Sequence, residues 1–280
     1  LKNKTIRPAP AAANAAREVP AESRLRAELQ PVGDGLQLRL VAFPYGMDYA
    51  AEGPRLPPAS GRARLVTLLR NEQLGVQRDL AAERASLEAV LDACPMLMEP
   101  PPGAPCEWQI DEPELALALV ERLHTLNAVA ALDWPQGRPV RVTPGAIGQL
   151  SLKVQTKQDW LGLQGELKVD EELVVSLQQL LGWASTHKSR FMPLGDGRYL
   201  ALTQELRERM DDIAAVTESH AQRGHSLADL RVPVLAAPWL QQATEGAQVD
   251  FDAGFTNRLQ LLDDARRIVP AVPATLQATL

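Results

Sequence analysis

Cysteine is nearly absent from this sequence. Cys94 and Cys106 are the only two in 280 residues, too few to staple a chain of this length, and their separation does not match the paired spacing of a zinc site. A reducing, cytoplasmic compartment is therefore expected. Long apolar runs are missing too: nothing approaches the about 20 residues that span a bilayer, and the opening LKNKTIRPAPAAANAAREVP lacks the apolar centre of a signal peptide. No membrane is expected among the partners. Aromatics are scarce at 4%.

Several catalytic signatures are also missing. The chain carries no Walker A loop and no Asp-Glu pair of the kind that holds magnesium in helicase motors, so ATP hydrolysis by these residues is not expected. No Gly-x-Ser-x-Gly elbow sets a serine on a strained turn, which leaves Ser219-His220 and Ser226 without a nucleophile's setting. The four histidines, His124, His187, His220 and His225, lie apart from any cysteine or carboxylate spacing that would hold a metal. Asp111, Glu112 and Glu114 could supply an acid and a base for hydrolysis, but their place around Pro113 makes them a helix-start device first. No catalytic residue, cofactor or metal is expected in this stretch.

What is present is an ordinary globular composition, 45% hydrophobic and 23% charged, long enough for more than one core. The net charge is −6, so no long-range field draws nucleic acid to the whole molecule. The charge is uneven. Residues 90–133 hold eight acids against Arg122 alone, while residues 61–84 hold five arginines against three acids. Solvated faces explain this contrast, and so does an electrostatic docking surface.

Periodicity gives an α+β class of mainly antiparallel hairpins and amphipathic helices, divided into an Ala/Pro-rich flexible arm (1–22), a first subdomain (23–147) and a second (148–280). Leu25, Ala27 and Leu29 alternate up to the turn Gly33-Asp34-Gly35, and Leu36, Leu38 and Leu40 alternate after it, as in a hairpin. RARLVTLL predicts a strand followed by a turn at NEQLG. Leu80, Leu87, Leu91 and Cys94 then predict one helix, and Leu115, Leu119, Val120, Leu123 and Leu126, started by Pro113, a second. VAALDW and RPVRVT read as short strands around PQG. GQLSLKVQ and WLGLQGELKV read as an antiparallel pair, with Asp170 capping a helix over EELVVSLQQLL that stops at Gly182. VPVLAAPWLQQ reads as a helix broken by Pro238, and Phe255, Leu259, Leu262 and Ile268 as a last helix.

The stretch RFMPLGDGRYLALT poses a choice between a phosphate cradle and a turn. A cradle needs glycine amides that lead directly into a helix. Here RYLAL continues as a strand before any helix can start at Thr203, and Asp-Gly between alternating runs is a hairpin signal. Leu206, Met210 and Ile213 mark the helix that follows. Lys188, Arg190, Phe191, Arg198 and Tyr199 flank this hairpin with the mixture of cations and aromatics that can bind phosphates and stack bases, although the aromatics suit hairpin packing equally well.

The stretch from Asp159 through Met210 resembles the region preceding the motor in bacterial Swi/Snf-family helicase-like ATPases. A tryptophan-led strand, a short helix, a hairpin tipped by Gly-Asp-Gly and an LT..L helix recur there in this order. Trp160, Asp196, Gly197, Tyr199, Leu202, Thr203 and Leu206 stand at the matching places. GVQRDLAAE and ALDWPQG look like elements of the same upstream region. Leu1 in place of methionine and the ending VPATLQATL lead us to expect a piece cut before the motor lobes. The resemblance implies a non-catalytic accessory region that docks DNA or a protein partner and gates its own downstream motor, where ATP and magnesium would act. A free-standing protein-interaction scaffold is the alternative.

Overall fold

A computed structural model describes residues 16–97, 106–134, 138–171, 173–217 and 230–267. The class is α+β, and the chain forms two compact units, residues 1–141 and 142–280.

The first unit runs β1 (Arg17–Val19), β2 (Leu25–Val32), β3 (Gly35–Ala42), β4 (Arg64–Leu69), β5 (Glu72–Gln77), α1 (Leu80–Ala93), β6 (Glu107–Ile110), α2 (Pro113–Thr125) and β7 (Val129–Asp133). Its larger sheet has the order β6-β3-β2-β7, with β7 parallel to β2 and the other pairs antiparallel. The hairpin expected around Gly33 closes this sheet: Val32 pairs with Gly35 and Gly33 takes φ +60°. One face carries Leu25, Ala27, Leu29, Leu36, Leu38 and Leu40, all buried, and the buried side of α2 is Ala116, Leu119, Val120 and Leu123. Each such leucine removed from water is worth about 1.5–3 kcal/mol. The opposite face is a charge ladder: Glu28 pairs with Arg55 at 2.6 Å, Arg39 with Glu107 at 3.2 Å, and the buried Arg26 with Asp133 at 2.6 Å.

The smaller sheet, β1-β5-β4, departs from the sequence reading. The turn after β4 is Arg70-Asn71, both at positive φ, and Glu72–Gln77 is a strand that takes in residues 72–75 of the expected NEQLG turn. Within the segment assigned to the arm, Arg17–Val19 pairs in parallel with β5; residues 1–15 lie outside the described residues. Gly75 leaves room for the Arg64–Glu18 ion pair to cross the sheet above it. β6 is a further strand that the sequence reading did not assign.

The buried line of α1 is Glu83, Val90 and Cys94, while Leu80, Leu87 and Leu91 are only half-buried. Asp79 caps this helix, its carboxylate accepting from the amides of Ala81 and Ala82 at 3.0 Å. Glu83 is buried because it answers Arg78, whose guanidinium donates to both Glu83 oxygens at 2.8 and 2.6 Å and to the carbonyls of Pro57 and Ser60 at 3.2 and 2.8 Å. The Ala59 amide donates to Glu83 at 3.0 Å, so one ion pair fastens the Pro/Gly-rich loop to the helix start.

The second unit comprises β8 (Arg141–Gly145), β9 (Leu150–Thr156), β10 (Trp160–Lys168), β11 (Val174–Ser176), α3 (Leu177–Thr186), β12 (Phe191–Gly195), β13 (Arg198–Leu202), α4 (Gln204–Val216), β14 (Leu230–Pro233), α5 (Ala237–Ala243), β15 (Gln248–Phe251) and α6 (Ala253–Arg267). β10 pairs antiparallel with β9, β11 and β14, and β15 runs parallel to β9. Leucines of β9 and β10 share one core with Leu177 and Leu180 of α3, Leu206, Met210 and Ile213 of α4, and Phe255 of α6. The division between units falls at the start of β8 rather than near Gly145–Gly148, because β8 pairs with β13.

Other differences have local causes. Asp170 accepts from the amide of Leu173 at 2.8 Å and shapes the turn into β11, while Ser176 caps α3 through a reciprocal box with Gln179. Gly182 lies inside α3, which ends at Thr186. Pro238 sits in the first turn of α5, where its missing amide costs no helical bond, so it starts a helix instead of breaking one. Asp252 begins α6 and ties it to β9: its carboxylate accepts from the Thr156 amide and hydroxyl at 2.6 and 2.8 Å and from the Phe255 amide at 2.8 Å. Burial pushes that carboxyl up, but these donors together outweigh it and hold it below the usual range. Ile268 and the chain after it lie outside the described residues.

Candidate nucleic-acid interface

The Gly-Asp-Gly stretch is a hairpin turn. Gly195 pairs with Arg198, leaving Asp196-Gly197 as a two-residue loop with φ +52° and +72°. Two central residues at positive φ are the type I′ geometry that matches strand twist, and Asp-Gly is its preferred pair. Leu194 has no register partner, so β12 bulges there. A strand follows the glycines. Only after β13 does Thr203 open a helix, its hydroxyl accepting from the Leu206 amide at 3.3 Å.

The five flanking residues do not form one cluster. The Arg190 carbonyl accepts from the Leu202 amide at 2.8 Å, which places Arg190 at the hairpin base, whereas Arg198 pairs with Gly195 at the tip. Four residues of β13 separate the two, about 13 Å at a strand's rise. Tyr199 is half-buried opposite Pro193. Phe191 is 2% exposed and the Arg190 guanidinium lies 4.2 Å from its ring centroid, so this ring has no free face for a base. Lys188 is exposed in the loop between α3 and β12.

That loop brings in residues the sequence reading did not select. Trp183 and His187 are one helical turn apart, and their rings stack at 3.6 Å and 8°. The Trp183 indole N–H donates to the Ser189 carbonyl at 3.3 Å. The Thr186 hydroxyl lies 2.7 Å from His187 Nδ1. From α4, Arg207 donates to the carbonyls of Lys188 and His187 at 2.5 and 3.0 Å. Its charge therefore adds to the loop while its hydrogen bonds fix the loop's shape. The i, i+4 spacing of Trp183 and His187 was readable in the sequence; the reach of Arg207, twenty residues on, was not.

The arrangement can hold a planar group against the exposed His187 ring and place anions beside Lys188, Arg190 and Arg207. It holds no thiol or carboxylate pair of its own. Elsewhere, Cys94 and Cys106 are free thiols that burial pushes up, which keeps them protonated and poorly nucleophilic. Among the described residues no group of three or more His, Cys, Asp or Glu is placed to hold a metal ion, and no helix is long and apolar enough to cross a membrane. Ser219, His220, His225 and Ser226 lie outside the described residues. Comparison with protein-family models, with curated proteins and with solved structures finds no match.

Proposed function

We propose that this chain is the accessory region of a cytoplasmic, Swi/Snf-type, ATP-driven translocase, and that it docks a DNA strand for motor lobes encoded beyond it. The observation that carries the docking role is the α3–β12 loop, where Lys188 and Arg190 follow in the chain a Trp183–His187 stack whose loop Arg207 braces. Phosphates would lie on the cations and a base on His187, a division of labour common to sequence-tolerant strand binding. Support for the motor context is the resemblance across Trp160 to Met210, whose strand, helix, hairpin and capped helix share a single core. Chemistry would then reside in the motor, with ATP and magnesium, and this region would position the strand and gate the motor.

Sequencing the gene past the Leu280 codon tests the motor context. The frame is expected to continue into a glycine-rich loop ending in Lys-Ser or Lys-Thr, followed by an Asp-Glu pair. A frame that closes, or runs on without a phosphate loop, overturns that part of the proposal and leaves a free-standing docking protein.

A further inference from the structure

Thr186 and His187 close α3 with a relay of hydrogen bonds. The Thr186 hydroxyl donates back one turn to the Gly182 carbonyl at 2.7 Å, and its oxygen lies 2.7 Å from His187 Nδ1. A hydroxyl has one proton to give. Two oxygens at that distance repel unless the proton lies between them, so it is committed to Gly182, and Oγ1 turns a lone pair to the ring. Nδ1 must then carry the ring's own proton. The bond made by one imidazole nitrogen decides the state of the other, so the lone pair of the neutral ring falls on Nε2. His187 is exposed, and no described residue bonds Nε2. The stack on Trp183 and the bond from the His187 amide to the Trp183 carbonyl at 2.9 Å hold the ring plane. The charges around the ring are cationic: Lys188 and Arg190 in the loop, and Arg207 of α4, which donates to the His187 carbonyl. The α4 carboxylates within a turn of Arg207 are Glu205, Glu208 and Asp211, and none of them bonds the ring. α3 itself carries no charged residue. β10 and β11 meet α3 at its start, where Leu177 lies on Gly165, about 15 Å along the helix from His187.

We propose that Thr186 is a positioning residue for the strand contact: it fixes His187 in the Nδ1–H form, so that the proton gained on acidification lands on Nε2 at the exposed edge and donates to a strand phosphate. The phosphate contact rests on the docking role proposed above. In either state the face of the ring away from Trp183 stacks a base. The neutral ring turns the Nε2 lone pair toward a phosphate oxygen, which repels it, whereas the protonated ring offers a charge-assisted N–H donor. Protonation leaves the bond to Thr186 unchanged. Docking through this loop is therefore tighter below the pH range in which imidazoles titrate, and above that range the ring acts through stacking and adds nothing to the salt slope.

The first measurement needs no DNA: long-range proton–nitrogen correlation spectra of the full chain at about pH 8.5, above the imidazole range, with the His187 signals assigned by their loss in His187→Gln. Nε2, the nitrogen coupled to both carbon-bound ring protons, should show the unprotonated shift. Thr186→Val should move that shift to Nδ1, and Thr186→Ser should keep it on Nε2. The second measurement is the affinity for a short oligothymidylate, whose bases hold their charge state from about pH 5.5 to about pH 8.5. Wild type should bind roughly threefold tighter or more at the lower pH, with a log–log salt slope steeper by about 0.7, the mark of one added phosphate contact. His187→Gln should lose most of that gain, and Thr186→Val should shrink it, because Nε2–H then donates already at high pH. A protonated Nε2 in wild type at high pH, a tautomer that Thr186→Val leaves in place, or a pH gain no larger than that of His187→Gln would overturn the inference while docking stands. Binding at neither pH would overturn both.

Discussion

Glu83→Ala is expected to lower stability by about 3–5 kcal/mol, the range for breaking a buried ion pair from one side. Both side chains are 1% exposed, so the truncation leaves the Arg78 charge without a carboxylate in a place water does not reach. It also removes the acceptor of the Ala59 amide. The remaining bonds of Arg78 go to the carbonyls of Pro57, Ser60 and Arg62, which hydrogen-bond the guanidinium without neutralising it. Urea unfolding at neutral pH measures the loss. Arg78→Met combined with Glu83→Leu should cost less than Glu83→Ala alone, because the double change removes both charges together. A single-variant loss under about 1 kcal/mol would mean that water reaches the pair, as it does for surface bridges.

Gly35→Ala should cost about 2–3 kcal/mol for a different reason. Its Cβ would meet the backbone of the β6 end, including Asp111 Cα at 2.8 Å and the Ile110 carbonyl carbon at 3.1 Å. No rotamer relieves a clash with backbone, so β6 must move from β3 where Leu36 pairs with Ile110. Gly33, two residues earlier, is the control. It has open space around its Cβ position and φ +60°, so Gly33→Asn should be nearly neutral, since asparagine tolerates the left-handed region. Thermal melts of the two variants separate these causes; equal shifts would show that turn conformation, and not the approach of β6, sets the cost.

Both hairpins were legible because alternation and turn chemistry agree within a few residues, and so was the Thr203 start of α4. The losses came where a local signal had a competitor. Asp170 and Ser176 are both good caps, and only the pairing of Val174 with Lys168 decides that Ser176 takes the helix. The Arg70-Asn71 turn lacks glycine, which left residues 71–75 reading as the turn and hid the start of β5. Leucine spacing placed the buried line of α1 slightly off because Glu83, a charge, occupies an inside position through a contact with the loop before β4. In the candidate site, the cations and Phe191 were visible as composition. Their separation along the hairpin, the burial of Phe191 and the bracing by Arg207 depend on strand register and tertiary contact, and no spacing in the sequence encodes them.

The most direct measurement is the affinity of this chain for a short single-stranded DNA as salt is raised, compared with Lys188→Ala/Arg190→Ala and with His187→Ala. Binding by wild type should weaken steeply with salt. The double variant should bind more weakly and flatten the log–log slope by about 1.4, as expected for two lost phosphate contacts at about 0.7 each. His187→Ala should weaken binding and leave the slope in place, the mark of a lost stack. An affinity that none of these changes alters, or the absence of binding at low salt, would contradict the docking role of the α3–β12 loop.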